Sequence, residues 1–235
     1  MSSWKPKRFW KAATAHACDG GYTVTLDGRT VKTPAKAPLV VPTLALAEVI
    51  AAEWDAQVKE VAPETMPATR AANSAIDKVR TQFDEVAAML ADYAGTDLLC
   101  YRAEGPQPLI DRQAAGWDPL LDWARERYQA PLVATAGVMF IAQPEESLAN
   151  LRAAVFAQDE FRLAALHDLI AITGSLVLGL AVAEGRLTAD EAFALSRIDE
   201  QWQIDQWGPD EEAAALEATK HQALRDAARF YGLCR

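Results

Sequence analysis

Cysteine is scarce in this chain. Cys18, Cys100 and Cys234 are the three among 235 residues. They have neither the pairing parity of a disulfide framework nor metal-site spacing, so a reducing compartment is expected. Histidine is as sparse: His16, His167 and His221 lie far apart, with no HExxH pair and no Cys/His clustering, which leaves a metal site unsupported. His167, on an apolar stretch, reads as a satisfied core residue rather than a catalyst. No glycine-rich phosphate loop occurs, because Gly20-Gly21 precedes a strand pattern and not a helix N-terminus. Ser175, in Thr173-Gly174-Ser175-Leu176-Val177, is expected within a helix and misses the nucleophile elbow. No cofactor is called for. The uncharged run Leu169–Ala183 has fifteen residues, short of the roughly 20 a spanning helix needs, so it reads as a core helix and membrane insertion is not expected. Trp4-Lys5-Pro6-Lys7-Arg8-Phe9-Trp10 lacks an apolar signal region and the basic start is brief, so neither a secretory signal nor an import leader is expected. The cytoplasm is the expected location.

Positive charge is also short. The net charge of −10 argues against nucleic acid as a partner. It is unevenly spread: residues 1–36 carry an excess of base and residues 184–235 an excess of acid.

What is present begins with a hairpin. Tyr22-Thr23-Val24-Thr25-Leu26 and Arg29-Thr30-Val31-Lys32-Thr33 flank Asp27-Gly28, a pair suited to the two positive φ angles of a type I′ turn. Val24 should face Val31, with Tyr22 and Leu26 on the same apolar side and Thr23, Thr25, Thr30 and Lys32 on the other. Phe9-to-Ala17 and Leu39-Val40-Val41 are the neighbouring strands, since two strands alone are marginal. From Thr43, a helix N-cap, the period changes. Ala47, Ile50, Ala51, Trp54 and Val58 form one stripe. Pro63 and Pro67 interrupt the chain, and Ala72, Ile76, Val79, Phe83, Val86, Leu90 and Tyr93 follow at spacings of four and three, a helical seam closed by Gly95. Gly116 should end a short helix and Asp118-Pro119 begin another. Pro131 to Ile141 is apolar without a clear period.

Further helices are expected after Pro144, from Asp159 to Gly185, from the capping box Thr188-Ala189-Asp190-Glu191 to Gly208, and from Asp210 to the end. Leu216, Leu224, Ala227 and Tyr231 should point inward in the last. The fold class is α+β: a small β-rich N-terminal domain with a hairpin and one or two packed helices (1–70), then a mainly α-helical domain (71–235).

One stretch is polar beyond what folding requires. Residues 199–212 hold Asp199, Glu200, Asp205, Asp210, Glu211 and Glu212 with Trp202 and Trp207, and no basic side chain. Asp199 and Glu200 are adjacent, so on a helix they diverge by about 100° and cannot share a proton. Trp207 lies about 140° around the helix from Trp202. With Trp202 inward, Trp207 is either an interface anchor with a charged rim or a plug folded over the Gly-Pro stop. Both readings stand on these residues alone. Glu53-Trp54-Asp55-Ala56-Gln57 and Met66-Pro67-Ala68-Thr69-Arg70 are similarly polar beyond need, with Arg70 exposed.

Together these stretches carry a resemblance. Gly21 to Arg29 with Lys32-Thr33-Pro34, then Ala52 to Gln57, Met66 to Arg70, Asp97-Leu98-Leu99-Cys100-Tyr101-Arg102, Trp117-Asp118-Pro119-Leu120-Leu121 and Asp199 to Gly208 occur in the order of the Atp12 family of F1-ATPase assembly chaperones. The chain resembles a bacterial member of it from Phe9 to Asp210, with Ala68 standing where a bulkier apolar residue is usual. The resemblance implies a non-enzymatic protein that binds the free F1-ATPase α subunit until it pairs with β, and that is monomeric when free. The partner-binding residues it points to are Asp199, Glu200, Gln203, Asp205, Trp207 and Asp210, with Trp54 and Arg70. Two readings from other classes remain: a hydrolase using scattered carboxylates, and a membrane-associated scaffold using Leu169–Ala183.

Overall fold

A computed structural model describes residues 7–235. The reading of Trp4 to Trp10 as lacking a leader falls partly outside the described residues. The chain runs β1 (Ala13–Cys18), β2 (Gly21–Leu26), β3 (Arg29–Thr30), β4 (Val40–Val41), α1 (Leu44–Asp55), α2 (Pro67–Asp77) and α3 (Phe83–Ala91). It continues as β5 (Tyr101–Arg102), α4 (Gln107–Tyr128), β6 (Thr135–Ala136), α5 (Glu145–Phe156), α6 (Glu160–Thr173), α7 (Leu176–Ala183), α8 (Ala189–Ser196), α9 (Ile198–Trp207) and α10 (Glu211–Leu233). The class is α+β, as the sequence pattern indicates. Two compact units emerge: Met1–Phe83 with Glu160–Ala165 and Arg229–Arg235, and Asp84–Asp159 with Leu166–Ala228.

In the first unit the hairpin turns at Asp27 (φ 46) and Gly28 (φ 82). Left-handed backbone at both positions matches the twist of the flanking strands. Asp27 does more than turn. Its carboxylate accepts from the Lys11 and Ala12 amides at 2.9 and 3.0 Å, and these bonds hold its pKa below the usual carboxylate value. β2 pairs with β1 along one edge; along the other it pairs with β4 at Tyr22 and Thr23 and with β3 at Thr25 and Leu26. Both faces of β2 are covered. Thr23 and Thr25, expected on the side opposite the apolar face, are buried, and the Thr23 hydroxyl donates to the Leu39 carbonyl at 2.6 Å. Gly21 is required by close approach, since a Cβ there would lie 2.4 Å from the Val41 carbonyl oxygen.

Helix α1 starts where Thr43 accepts from the Leu46 amide and buries Leu46, Ala47, Ile50 and Ala51 against β1 and β2. Trp54 is half-buried, edge-on to Trp10 at 5.2 Å. Val58, expected on the same stripe, lies beyond the helix end and is exposed. The Arg8 guanidinium closes that end, donating to the Asp55 carbonyl at 2.7 Å and to the Gln57 carbonyl, a cation where the helix dipole is negative.

The seam predicted from Ala72 to Tyr93 is not one helix. It breaks at Lys78 (φ −119, ψ −62) and Gln82 (φ −130, ψ 33) into α2, a 3-10 turn and α3. Ala72, Ile76, Val79 and Leu90 are still buried, because alternating spacings are also met by short segments joined at a bend. Gly95 sits inside a 3-10 turn, Asp92–Thr96, rather than at a left-handed cap.

In the second unit the core holds Leu99, Leu109, Trp117, Leu120, Ala124, Val177, Leu178, Ala181, Ala192 and Ile198. Here the expected stop at Gly116 and start at Asp118-Pro119 are overturned: α4 runs through both. Pro119 has no amide to donate to the Ala115 carbonyl, and both residues are exposed to solvent. Gly116 leaves room for Ile198 and Leu195, each 2.9 Å from where its Cβ would stand. The uncharged run is likewise two helices. Gly174 (φ 72) ends α6, and Ser175, expected in mid-helix, caps α7 by accepting from the Leu178 amide at 3.0 Å. Gly179 admits Ile170, whose Cγ1 is 2.6 Å from its Cβ position. His167 is not a core residue: its ring is partly exposed and pairs with Asp168 at 2.9 Å. That bond raises its pKa. Among the described residues no helix is long and apolar enough to cross a membrane.

Candidate functional site

The segment with the concentrated carboxylates begins with a helix break. The Thr188–Glu191 capping box starts α8 as expected, but Arg197 (φ −116, ψ 20) separates it from α9. Three side-chain contacts then press one side of α9 onto α4. Gln113, buried, donates from Nε2 to Asp199 Oδ1 at 2.6 Å. Arg112 donates to Asp205 Oδ2 at 2.9 Å and lies 5.1 Å above the Trp202 ring. Asp205 also accepts from Gln201 at 2.8 Å. That bond first, and then Arg112, lower its pKa. Ile198 is buried beneath.

Docking by positions 198, 199, 202 and 205 leaves the other side open. Glu200 and Trp207 fall within about 20° of each other around the helix, with Gln203 about 60° aside. All three are exposed. Trp207 is 79% exposed, so it does not plug the stop at Gly208. Glu200 keeps one nearby cation, Arg197 at 3.2 Å. Asp210 starts α10, accepting from the Glu212 and Ala213 amides at 2.8 and 3.2 Å. The next turns of α10 are open to solvent. Leu216, expected inward, is 58% exposed, whereas Leu224, Ala227 and Tyr231 are buried as expected.

The eight candidate residues therefore separate. Glu200, Gln203 and Trp207 share an open face, and Asp210 caps the helix that follows it. Asp199 and Asp205 are on α9 too, but their carboxylates are engaged by α4. Trp54 and Arg70 belong to the first unit, the one half-buried against Trp10 and the other exposed at α2.

The motifs around them do more for the fold than their polarity suggested. Met66 has no side-chain oxygen with which to cap α2, and Glu53 supplies it from α1. Its carboxylate accepts from the Ala68 and Thr69 amides at 2.7 and 2.8 Å and from the Thr69 hydroxyl at 2.6 Å. Asp55 accepts from the Ala13 amide at 2.8 Å. Gln57 ties the Ala62 amide at 2.7 Å to the Glu53 carbonyl at 2.9 Å. In the second unit Asp97 is fully buried; it accepts from the Ser175 hydroxyl at 2.7 Å and the Leu99 and Val177 amides at 3.0 Å. Burial pushes its pKa up against those donors. Arg102 stacks on Trp117 at 5.2 Å and donates to Asp118 at 2.7 Å; Trp117 Nε1 donates to the Leu195 carbonyl at 2.9 Å.

Sequence reasoning missed Arg112 and Gln113, which set the orientation of α9, and the exposed triplet Val138-Met139-Phe140. The apolar character of residues 131–141 was the available signal for the triplet; Arg112 and Gln113 had none beyond their place on a helix.

The comparisons with known proteins agree on one family. The sequence profile of the family described as ATP12 chaperone protein matches residues 7–125. The mitochondrial protein atp12 of Schizosaccharomyces pombe is 26% identical over 223 residues, covering 90% of this chain and 77% of that protein. A solved point mutant of P. denitrificans Atp12p is 53% identical with a TM-score of 0.97 over the full length of both chains. Atp12 from Paracoccus denitrificans gives 53% and 0.96 over 98% of this chain and 99% of that one. The Atu1473 protein of Agrobacterium tumefaciens gives 42% and 0.94, over 98% and 87%.

Proposed function

The chain belongs to the ATP12 chaperone protein family, and from that premise we propose that it assists assembly of the F1 sector of ATP synthase by holding the free α subunit until β takes its place. The role is one of binding and release without catalysis, in the cytoplasm, by a chain that is monomeric when free. The observation that supports it best is the open face of α9, where Trp207 is 79% exposed beside Glu200 and Gln203. A large aromatic kept in water on a helix whose other side is firmly docked has the makings of an interface anchor, and the surrounding carboxylates form its polar rim.

A holding chaperone must cover adhesive subunit surface and yet let go. That favours an interface of moderate size with rapid exchange over one of maximal area. With no nucleotide-binding motif in the sequence, release falls to competition: β displaces the chaperone from the surface that α will present to it. Asp199 and Asp205 act at one remove, by fixing the angle at which α9 offers its open side.

The experiment is affinity purification of the tagged full-length chain from its native host. Co-elution of F1 α subunit is the expected result. Recovery of β without α, or of no F1 subunit at all, would refute the assignment.

A further inference from the structure

Between β6 and α5 the chain makes an excursion whose base is stitched shut. Gln143, buried, presents its side-chain amide to Val133 as a strand would, accepting from the Val133 amide at 2.7 Å and donating to the Val133 carbonyl at 2.9 Å. The Ser147 hydroxyl donates to the Pro131 carbonyl at 2.9 Å. On the rising side β6 pairs in parallel with β5, and the Gly137 amide donates to the Arg102 carbonyl at 2.8 Å. Above this base stand three consecutive apolar residues, Val138 at 92%, Met139 at 78% and Phe140 at 70% exposure. Single exposed apolar side chains are ordinary on any surface, but a contiguous exposed group is a mark of an interaction site.

We propose that the Val138-Met139-Phe140 tip is a second, apolar contact for the same F1 subunit client, acting together with the open face of α9. The proposal rests on the chaperone reading above. Two observations favour the client over a second copy of this chain. The first is area. At exposures of 92, 78 and 70%, the tip offers on the order of 400 Å², a patch of a few hundred Å² and about half of the roughly 800 Å² per partner that a standard interface covers. It is too small to hold a dimer alone and suits a partner also gripped elsewhere. The second is continuity with the α9 face. Asp199 at the start of α9 accepts from Gln113 at 2.6 Å, Gln113 accepts from the Ala103 amide at 2.8 Å, and the adjoining Arg102 carbonyl accepts from Gly137 at 2.8 Å. The base of the tip and the root of α9 are thus fixed to the same stretch of chain around Arg102 and Ala103. A client spanning both would meet an apolar contact at one end and an aromatic with an acidic rim at the other, and neither would need to be strong alone.

The test uses full-length protein carrying Val138→Ser, Met139→Ser and Phe140→Ser together, titrated against purified F1 α subunit by biolayer interferometry. Val138→Ser and Phe140→Leu serve as single variants, and Trp207→Ala as the comparison. The triple variant is expected to bind at least ten-fold more weakly, with an unchanged thermal transition and an unchanged elution volume. Val138→Ser should weaken binding by about two- to three-fold, whereas Phe140→Leu, which keeps a large apolar side chain, should bind nearly as tightly as wild type. Wild-type affinity in the triple variant, with Trp207→Ala still impaired, would overturn this inference and leave the chaperone reading standing. Failure of the wild-type chain to bind α would overturn both. A change of oligomeric state in the triple variant would assign the tip to contacts between copies and overturn the inference.

Discussion

At the scale of single residues, burial and hydrogen bonding separate side chains that look alike in sequence. Asp97 and Asp210 are both helix-associated carboxylates, yet one is sealed in and the other open. Replacing Asp97 by Ala leaves the Ser175 hydroxyl and the Leu99 and Val177 amides unpaired in the core. The expected loss is about 3 kcal/mol, read as a lower denaturation midpoint at unchanged slope. Trp207→Ala should do the reverse, weakening client binding while moving stability by no more than about 0.5 kcal/mol, because an exposed side chain contributes little to folding. A large fall in thermal stability would return Trp207 to a structural role. Thiol reactivity makes a simpler check. Cys100 is buried and its pKa is pushed up to about 12, and Cys234 is buried also, whereas Cys18 is partly open. One thiol should react with Ellman's reagent in the native protein and three after denaturation.

At the scale of elements, the docking of α9 is the feature on which the proposed client surface depends. The lowered pKa of Asp205 means that its bonds to Gln201 and Arg112 favour the carboxylate. Their contribution is fully present above the ordinary value of 3.8 and is lost as pH falls through the lowered folded value. Comparing wild type with Asp205→Asn across an acid titration should show a gap in stability that closes below that range; a gap that widens toward low pH would contradict the assignment. Gly179 tests the α6–α7 approach. Ala there would place a methyl against Ile170 and should cost about 2 kcal/mol, seen as a lowered thermal midpoint.

The same scale explains what the sequence could disclose. Local chemistry was readable: the Asp27-Gly28 turn and the caps at Thr43, Thr188 and Asp210 each involve residues within three positions of one another. Breaks inside periodic stretches were not, because the apolar spacing survives a bend at Lys78, Gln82 or Arg197. Gly116 and Pro119 misled in the opposite direction. Their cost inside α4 is offset by a close neighbour and by solvent, and neither can be seen along the chain. Of the candidate surface, the helical angle set Trp207 apart from Trp202 but left an exposed anchor and a plug over Gly208 equally open, and the structure decides for exposure. The engagement of Asp199 and Asp205 required knowing that α4 lies alongside. Glu53, Asp55 and Gln57 looked surplus to folding because their partners are backbone amides and carbonyls, which a sequence does not display.

At the scale of the whole molecule, the chain carries net charge −10 and presents the exposed Trp207 within an acidic region. Charge of one sign around an interface acts mainly on encounter rate, and that effect is screened by salt. The measurement that bears most directly on the central claim is displacement. Purified α subunit is bound to the immobilised full-length chain, and purified β is added without nucleotide. The α subunit should be retained until β arrives and then leave with it as an α–β pair, at a rate that rises with β concentration. Retention of α regardless of β would contradict release by competition, and failure of α to bind at all would contradict the proposed function itself.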